Sequence, residues 1–325
     1  MPLTTPIPFR RLAILGAWAA HRDEDAYARS ARRLGVDTRV YDVLHWTQRI
    51  KGLAPPLIDR AVRRFDPDVI LCTRDASRLG LDRLARLFRN RTTFFWHVDP
   101  VAQDGVIELA RLCGTFYTTY AAQRDRYRAA GIPVVRFLPQ AMDRDRDVPA
   151  ARTRPEYVCD ASFVGSGPYP HRWPVLAAVG RACRLQVRGP GWRGVRPPFP
   201  IAGGAVHGAR YAQVIAGAAV SLGANALPEQ TGDYGSASNR MWKIFGCGGA
   251  YIGAHVGGIE QFARAGEHCL WFQDADECVA HVETLLANPA DGRAMAERAR
   301  AHALAHHTYD HRMAMLLRGE EYPLK

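Results

Sequence analysis

The chain has 325 residues, of which 47% are hydrophobic and 23% are charged, and its formal net charge is +11. This composition is typical of a globular protein with room for two domains, and it excludes a disordered or fibrous chain. No apolar run reaches the ~18–20 residues that a membrane-spanning helix needs.

The positive charge is concentrated in the first half. Residues 1–150 hold 25 Lys and Arg against 17 Asp and Glu, and nearly all of these cations are arginines. One interpretation is an anionic partner for this half, such as nucleic acid, an anionic membrane surface or a phosphorylated acceptor. The other is an Arg-rich composition with solvated helix faces, since the arginines are dispersed and form no tract.

Targeting and redox signals are weak. The opening "MPLTTPIPFRRLAILG" lacks the charge-then-apolar order of a signal peptide, so we expect a cytoplasmic location. The seven cysteines are scattered without CxxC spacing. We therefore predict buried free thiols, no metal site and no bound cofactor.

Short apolar runs alternate with helical patterns from residue 11 onward. Strand candidates in the first half are 11–18, 37–44, 68–73, 92–99, 115–120 and 134–140. Helical patterns between them include "DEDAYARSARRLG", which Asp23 can cap and Gly35 ends. Near-continuous apolar strands are expected when helices cover both faces of a parallel sheet. This predicts a doubly wound α/β domain, with ligands bound where the strands end, at 16–18, 73–75, 97–100 and 140–143.

The polar, Pro-containing segment 140–157 predicts a linker, and a second alternating pattern follows it. Its strand candidates are 161–167, 185–189, 218–225, 249–258 and 268–272, and its helix candidates are 171–183, 208–217, 238–247, 259–265 and 276–287, with two more near 290–306 and 308–319. The fold class predicted is α/β with two doubly wound, Rossmann-like domains facing across a crevice. We place the domains at 1–145 and 146–306, followed by a terminal segment at 307–325.

Familiar nucleotide-binding and catalytic motifs are absent. The first strand is followed by "LGAWAA" rather than GxGxxG, and no GxxxxGK[ST], GxSxG or HExxH occurs. In the second half, however, glycines cluster at strand ends, in "GSGPYPHR", "GSASNR" and "HVGGIEQF". Such turns let a backbone approach phosphate, and helix N-termini favour anions. Together they predict a nucleotide-type ligand in the second domain.

Several stretches carry a family resemblance. "FVGS", "YAQVIAGAAVSLG", "SNRMWKIFGCGGAYIGAHVGGIEQF", "HCLWFQDADECVAHVETLLANP" and "HHTYDHRM" resemble the group-1-like C-terminal domain of CgeB-like glycosyltransferases, and "TTFFWHVDP" and "GIPVVRFLPQAMD" resemble the matching N-terminal domain. The resemblance implies a GT-B fold, a nucleotide-sugar donor in the C-terminal domain and an acceptor in the N-terminal domain. It also implies a metal-independent reaction and a terminal helix that crosses back to the first domain.

The resemblance assigns the donor site. Arg240 is expected to pair with the donor diphosphate, because the guanidinium fork matches phosphate oxygens. Lys243 lies one turn further and is either a second phosphate cation or a surface lysine. The turn at Gly165, Ser166 and Arg172 is expected to contribute further donors.

Other donor-site candidates rest on weaker patterns. Glu260, after Gly257 and Gly258, is expected to reach a ribose or sugar hydroxyl, unless it is an ordinary first-turn Glu. Asn239, Trp192 and Tyr234 complete the donor-side set: Asn239 as a hydrogen-bonding group, Trp192 as a base-stacking ring or a packed loop aromatic, and Tyr234 as a sugar contact in the long loop 226–238.

On the acceptor side, His97 and Asp99 end the strand candidate 92–99. Strand alternation puts them on one side, where either can act as a base. Related retaining enzymes carry Glu where this chain has Lys243 and Gly235, so retention is not assumed. The prediction is a glycosyltransferase acting on an unidentified hydroxyl acceptor, such as modified DNA, a lipid-linked glycan or a natural product. The alternatives are an inactive nucleotide-sugar-binding protein and a nucleic-acid-binding α/β protein.

Overall fold

A computed structural model of the protein describes residues 6–19, 21–100, 104–224, 232–233 and 238–324. Contacts divide the chain into two compact units. The first unit comprises Met1–Gln140 with Tyr309–Leu324, and the second comprises Ala141–Thr308. Within the described ranges, no helix has the length and apolar character required to cross a membrane.

The first unit is built on a parallel sheet with the strand order β2-β1-β3-β4-β5-β6. Its strands are β1 (Arg11–Gly16), β2 (Asp37–Asp42), β3 (Val69–Cys72), β4 (Thr92–His97), β5 (Thr115–Thr118) and β6 (Val135–Phe137). Its helices are α1 (Asp23–Arg33), α2 (Val43–Ile50), α3 (Ala54–Phe65), α4 (Leu81–Phe88), α5 (Asp104–Leu112) and α6 (Arg124–Ala129), and a late helix, Tyr309–Leu317, packs against α1.

The second unit has a parallel sheet with the order β12-β11-β10-β7-β8-β9. Its strands are β7 (Cys159–Val164), β8 (Leu185–Arg188), β9 (Ile201–Gly203), β10 (Ala218–Gly223), β11 (Tyr251–Ala254) and β12 (Leu270–Phe272). Its helices are α7 (Trp173–Ala182), α8 (Ala209–Gly217), α9 (Asn239–Gly246), α10 (Ala275–Ala287) and α11 (Pro289–His306); the late helix of the first unit is α12.

Apolar continuity explains both sheets. In β1, residues Leu12–Leu15 are fully buried, and all four residues of β3 are too. Side chains alternate between the two faces of a strand, so an unbroken apolar run presents apolar groups on both faces. Such runs are expected where helices cover both faces of the sheet. The prediction of two doubly wound α/β units is confirmed.

Three predicted elements differ in the structure. The segment 140–157 is partly packed, with Ala141 and Met142 fully buried and Met142 bridged to Thr308. The predicted helix 259–265 is only a 3-10 turn at Ile259–Gln261. The loop-like stretch 188–200 is followed by β9, an edge strand of three residues that pattern reading missed. Short edge strands carry too few residues for a detectable period.

The seven cysteines are free, and six of them are buried. Burial raises the pKa of the Cys159 and Cys183 thiols to about 11, so these two remain protonated at neutral pH. Among the residues that the structure describes, no three His, Cys, Asp or Glu side chains are grouped to hold a metal ion.

Candidate functional site

In the second unit, β7 and β10 are neighbours at the centre of the sheet. The chain continues outward from β7 through β8 and β9 on one side, and from β10 through β11 and β12 on the other, so the strand order reverses between β7 and β10. In open α/β sheets such a reversal opens a crevice at the carboxyl ends of the two strands. Arg240, in the first turn of α9, spans this point. Its Nε donates to the carbonyl of Val164 at 2.9 Å, and its Nη1 donates to the carbonyl of Ala224 at 3.1 Å. The guanidinium is thereby fixed where β7 and β10 end.

A second arginine lies beside the first. Arg172, directly before α7, is 5% exposed, and its Nη1 donates to the carbonyl of Ser166 at 2.9 Å. Its buried Nε has no hydrogen-bond partner among the described atoms. Burial, and then the neighbouring charge of Arg240, lowers the pKa of Arg172 to about 9, so it is still a cation at neutral pH.

Both guanidinium groups pack on the same aromatic ring. The Cζ atoms of Arg240 and Arg172 lie 4.8 Å and 5.4 Å from the centroid of Phe163, and Arg172 also lies 4.9 Å from the Tyr169 ring. Cation–π contacts partly compensate for lost hydration. They do not cancel the repulsion between two adjacent cations, so this cluster favours an anion.

Gly165 gives Arg240 its space. A β-carbon at this position would lie 2.6 Å from Cζ of Phe163 and 2.8 Å from Nη2 of Arg240. The predicted role of these glycines in offering backbone N–H groups to phosphate is not what the structure shows. The N–H of Gly165 donates to Arg188 and that of Gly167 donates to Pro190, each at 2.9 Å. The glycines permit close packing of two loops instead.

Trp192 supports the same turn from the core. Its ring is 6% exposed, packs edge-on against Phe199 and donates from Nε1 to the carbonyl of Gly165 at 2.9 Å. A ring enclosed in this way has no free face for a base. The base-stacking assignment of Trp192 is therefore wrong, and the packed-aromatic alternative holds.

The remaining residues near α9 are only partly buried. The carbonyl of Ser166 accepts the hydrogen bond from Arg172, and Asn239 is the first residue of the helix on which Arg240 lies. Lys243, one turn further, is half-buried, and its charge acts on the thiol of Cys247 at the helix end. Among the described atoms it makes no hydrogen bond to the turn after β7, and its role as a second phosphate cation or a surface lysine stays a prediction.

The turn after β11 is acidic rather than cationic. A β-carbon on Gly257 would overlap the carboxylate of Asp233, and Gly258 has a φ of 72°, which favours glycine. Glu260 is exposed, and its Oε2 accepts from the backbone N–H of Ala265 at 2.9 Å. Carboxylates repel phosphate, so Asp233 and Glu260 make this turn less favourable for phosphate than the arginine pair; the phosphate role of the turn and hydroxyl recognition by Glu260 both stay predictions.

Tyr251 is a neighbour of Arg240 that pattern reading missed. A β-carbon at Gly223 or Gly253 would overlap its ring, so the tyrosine lies across the ends of β10 and β11. Burial raises the pKa of its hydroxyl while the Arg240 charge opposes that rise. The signal available in the sequence was a tyrosine followed two residues later by Gly253 in β11, with Gly223 at the end of β10.

In the first unit, His97 and Asp99 lie in different surroundings. His97 ends β4, is 1% exposed and stacks on Phe116 at 6.2 Å, next to Phe95. Asp99 lies beyond the strand and accepts from Nη1 of Arg74 at 2.8 Å, with 42% of its side chain exposed. The predicted strand is too long: β4 ends at His97, so strand alternation does not extend to Asp99. Tyr234 and Gly235 lie outside the described residues.

A buried carboxyl at the first unit's own reversal point, between β1 and β3, also escaped pattern reading. Glu24 is 8% exposed and accepts from the hydroxyl of Thr73 at 2.7 Å, and a β-carbon on Gly16 would overlap that hydroxyl. Burial raises the pKa of Glu24, with the Thr73 hydrogen bond opposing the shift. The "DED" run looked like an ordinary helix start, so nothing marked Glu24.

Known structures share this architecture along nearly the whole chain. Anabaena HepE, in complexes with UDP and with UDP-glucose, aligns at TM-scores of 0.62 and 0.63 with 10% and 11% identity, covering 95% of this chain and 99% of that one. Sucrose-phosphate synthase from Thermosynechococcus elongatus aligns at 0.63 with 12% identity, covering 95% and 98%. A glycosyltransferase from Rickettsia africae aligns at 0.64 with 10% identity, covering 96% and 97%.

The protein therefore has the GT-B fold, with two Rossmann-like units in one chain. By sequence, residues 172–318 match the family described as "Glycosyl transferase-like". This range includes Arg172 and Arg240. A search of curated proteins with the sequence finds no significant match.

Proposed function

We propose that the protein is a glycosyltransferase that moves a sugar from a nucleotide-diphosphate sugar to a hydroxyl acceptor. The observation that carries this proposal is the pair Arg172 and Arg240 at the strand reversal of the second unit. Two adjacent cations, one of them 5% exposed, concentrate positive potential where β7 and β10 end, and this potential stabilises a bound anion. A diphosphate supplies two phosphates and fits the paired guanidinium groups.

The chemistry follows from that placement. The acceptor oxygen forms a bond to the anomeric carbon, the bond from that carbon to the diphosphate breaks, and the diphosphate leaves with the electron pair. The hydroxyl proton passes to a base, for which Asp99 is the more accessible of the two predicted residues. Negative charge builds on the leaving diphosphate, and the arginines stabilise it there. We propose that they do so without a metal ion.

The comparisons support the donor class. HepE, which shares the fold, forms complexes with UDP and with UDP-glucose. We further propose that the donor sugar is a hexose and that the enzyme is cytoplasmic. We also propose that it is a CgeB-like glycosyltransferase. The sugar, the acceptor and the stereochemical course are for experiment to identify.

A thermal-shift screen of UDP, GDP, TDP and their sugars tests the donor proposal first, since a ligand bound to the native state raises the melting temperature. We expect stabilisation by at least one nucleoside diphosphate, and slow hydrolysis of the matching sugar donor. If no nucleoside diphosphate stabilises the protein, the proposal is wrong.

Binding without turnover under any acceptor would instead favour the alternative of an inactive nucleotide-sugar-binding protein. The nucleic-acid alternative predicts DNA or RNA affinity that falls steeply with salt. A filter-binding series from low to moderate salt distinguishes it, because diphosphate binding in a buried site depends far less on ionic strength.

A further inference from the structure

A large apolar cavity lies in the first unit, where β1 and β2 end. Its volume is about 880 Å³, within the range of small-molecule sites. Residues after β1, the end of β2, and helices α2 and α3 enclose it. None of the residues discussed so far as catalytic or donor-binding lines it.

Aromatic side chains dominate the cavity wall. Trp18 and Trp46 are 52% and 45% exposed, and Tyr41 also lines the wall. Leu57, which is 56% exposed, and Ile58 complete the apolar surface. Apolar surface left open in a concave site is characteristic of ligand binding.

Hydrogen bonds hold two of the three rings in place. Nε1 of Trp18 donates to Oδ1 of Asp25 at 3.2 Å, and the Tyr41 hydroxyl donates to the carbonyl of Ala61 at 3.2 Å. The ring of Trp46 meets the His45 ring edge-on at 5.5 Å. A preorganised wall lowers the entropy lost on binding.

The charges of the lining select against an anion. Among the described residues that line the cavity, the ionisable side chains are Asp42, His45 and Tyr41, with no Lys or Arg. Oδ1 of Asp42 accepts from the backbone N–H of His45, so this carboxylate also caps α2. A phosphate or carboxylate would meet the like charge of Asp42 in the lining, while the nearby Arg39 is engaged with the Tyr41 hydroxyl outside that lining.

We propose that this cavity binds the acceptor, and that the acceptor is a neutral aromatic compound bearing a hydroxyl group. Flat rings match the tryptophan and tyrosine walls through stacking and edge contacts. The proposal rests on the proposed function, since an acceptor exists only if a sugar is transferred. It replaces the anionic acceptor suggested by net charge with an uncharged one.

The test compares three probes by isothermal titration calorimetry. These are 2-naphthol, its anionic counterpart 2-naphthalenesulfonate, and the straight-chain alcohol 1-octanol. We expect saturable one-site binding of 2-naphthol, at least about 10-fold tighter than either other probe. Absence of saturable 2-naphthol binding, or tighter binding of the sulfonate or of octanol, overturns the proposal.

Variants locate the binding. Trp46→Ala should weaken 2-naphthol binding at least about 10-fold, while Trp46→Phe keeps a ring and should recover most of it. Leu112→Ala, at another exposed apolar residue of the first unit, is the matched control and should change nothing. Equal affinity in Trp46→Ala and the wild type would place the ligand elsewhere and overturn the assignment.

The nucleotide measurements separate the two proposals. If UDP, GDP or TDP binds and 2-naphthol does not, the proposed function stands and the aromatic acceptor is wrong. If 2-naphthol binds and no nucleoside diphosphate does, the acceptor role fails together with the proposed function. Glycosylation of 2-naphthol by the wild type, reduced in Trp46→Ala with unchanged nucleotide affinity, supports both.

Discussion

The two units carry parallel six-stranded sheets, yet the ends of their strands differ in chemistry. In the second unit, Arg172 and Arg240 make the reversal point cationic. In the first, the cavity beside β1 and β2 is apolar, and the reversal point holds the buried carboxyl of Glu24. The first half of the sequence nevertheless carries most of the net positive charge. Net charge therefore does not locate an anion site.

The arginines of the first unit explain this difference. Arg11, Arg32, Arg91 and Arg111 each donate to backbone carbonyls, where they hold loops and helix ends. Arg172 and Arg240 make the same kind of bond, but they pack together on Phe163, whereas these four arginines lie on separate segments of the chain. Two arginines fixed on one aromatic ring raise the local electrostatic potential more than a larger number of dispersed arginines does.

Removing the arginine pair should have the largest effect. Arg172→Ala with Arg240→Ala should weaken binding of the active nucleoside diphosphate by more than about 100-fold, because each charge-assisted contact contributes ~1.5–3 kcal/mol. Calorimetry measures the affinity, and circular dichroism checks the fold. Arg240→Lys retains the charge without the fork and should recover part of the binding.

Arg293→Ala removes an exposed arginine of α11 and is the matched control for charge. A folded double variant with wild-type nucleotide affinity would remove both arginines from the site. In that case the chemical difference between the strand ends of the two units would have no functional meaning.

Acid should destabilise the second unit through a column of histidines. The ring of His302 stacks on that of His268 at 4.2 Å and contacts His306 and His307. Burial, and then the neighbouring His268, lowers the pKa of His302 to about 4. Between that value and the unfolded value near 6.5, the unfolded state binds the extra proton. His302 is only partly buried, so solvent screening reduces the effect, and stability should fall by roughly 1–2 kcal/mol as the pH drops through this window.

Urea unfolding at pH 7.5 and pH 5 measures this dependence. His302→Gln keeps a donor for the Phe262 carbonyl but does not titrate, so its pH dependence should be shallower. His281→Gln, outside the column, serves as the control. An unchanged slope in His302→Gln would assign the acid sensitivity to other groups.

Filling the space beside Arg240 should have a moderate effect. Gly165→Ala puts a β-carbon against Phe163 and Arg240, and overpacking of this kind costs about 1–3 kcal/mol. Nucleotide affinity should fall as well, because Arg240 must move. Gly204→Ala, where nothing lies within 4 Å of the added carbon, should leave both quantities unchanged. Equal effects of the two substitutions would show that Gly165 does not set the arginine's position.

Asp99→Ala should have the smallest effect on stability, below about 1 kcal/mol, because its ion pair with Arg74 is exposed. If Asp99 is the base, turnover should fall while nucleotide affinity stays the same. Asp125→Ala removes another exposed carboxylate paired with Arg and is the control. Full turnover in Asp99→Ala would exclude Asp99 as the base.

Sequence alone determined the fold class, because buried parallel strands and the helices that cover them leave periodic apolar signals over many residues. It also picked out Arg240 through a local motif. It could not reveal that Arg172 joins Arg240 across Phe163, because these residues are far apart in the chain and meet only at the strand reversal. It misjudged the Gly165 turn and left the role of Trp192 open, since backbone hydrogen bonds and burial depend on neighbouring loops. The apolar cavity, too, exists only after β1, β2, α2 and α3 have packed, because its walls come from segments with no shared sequence pattern.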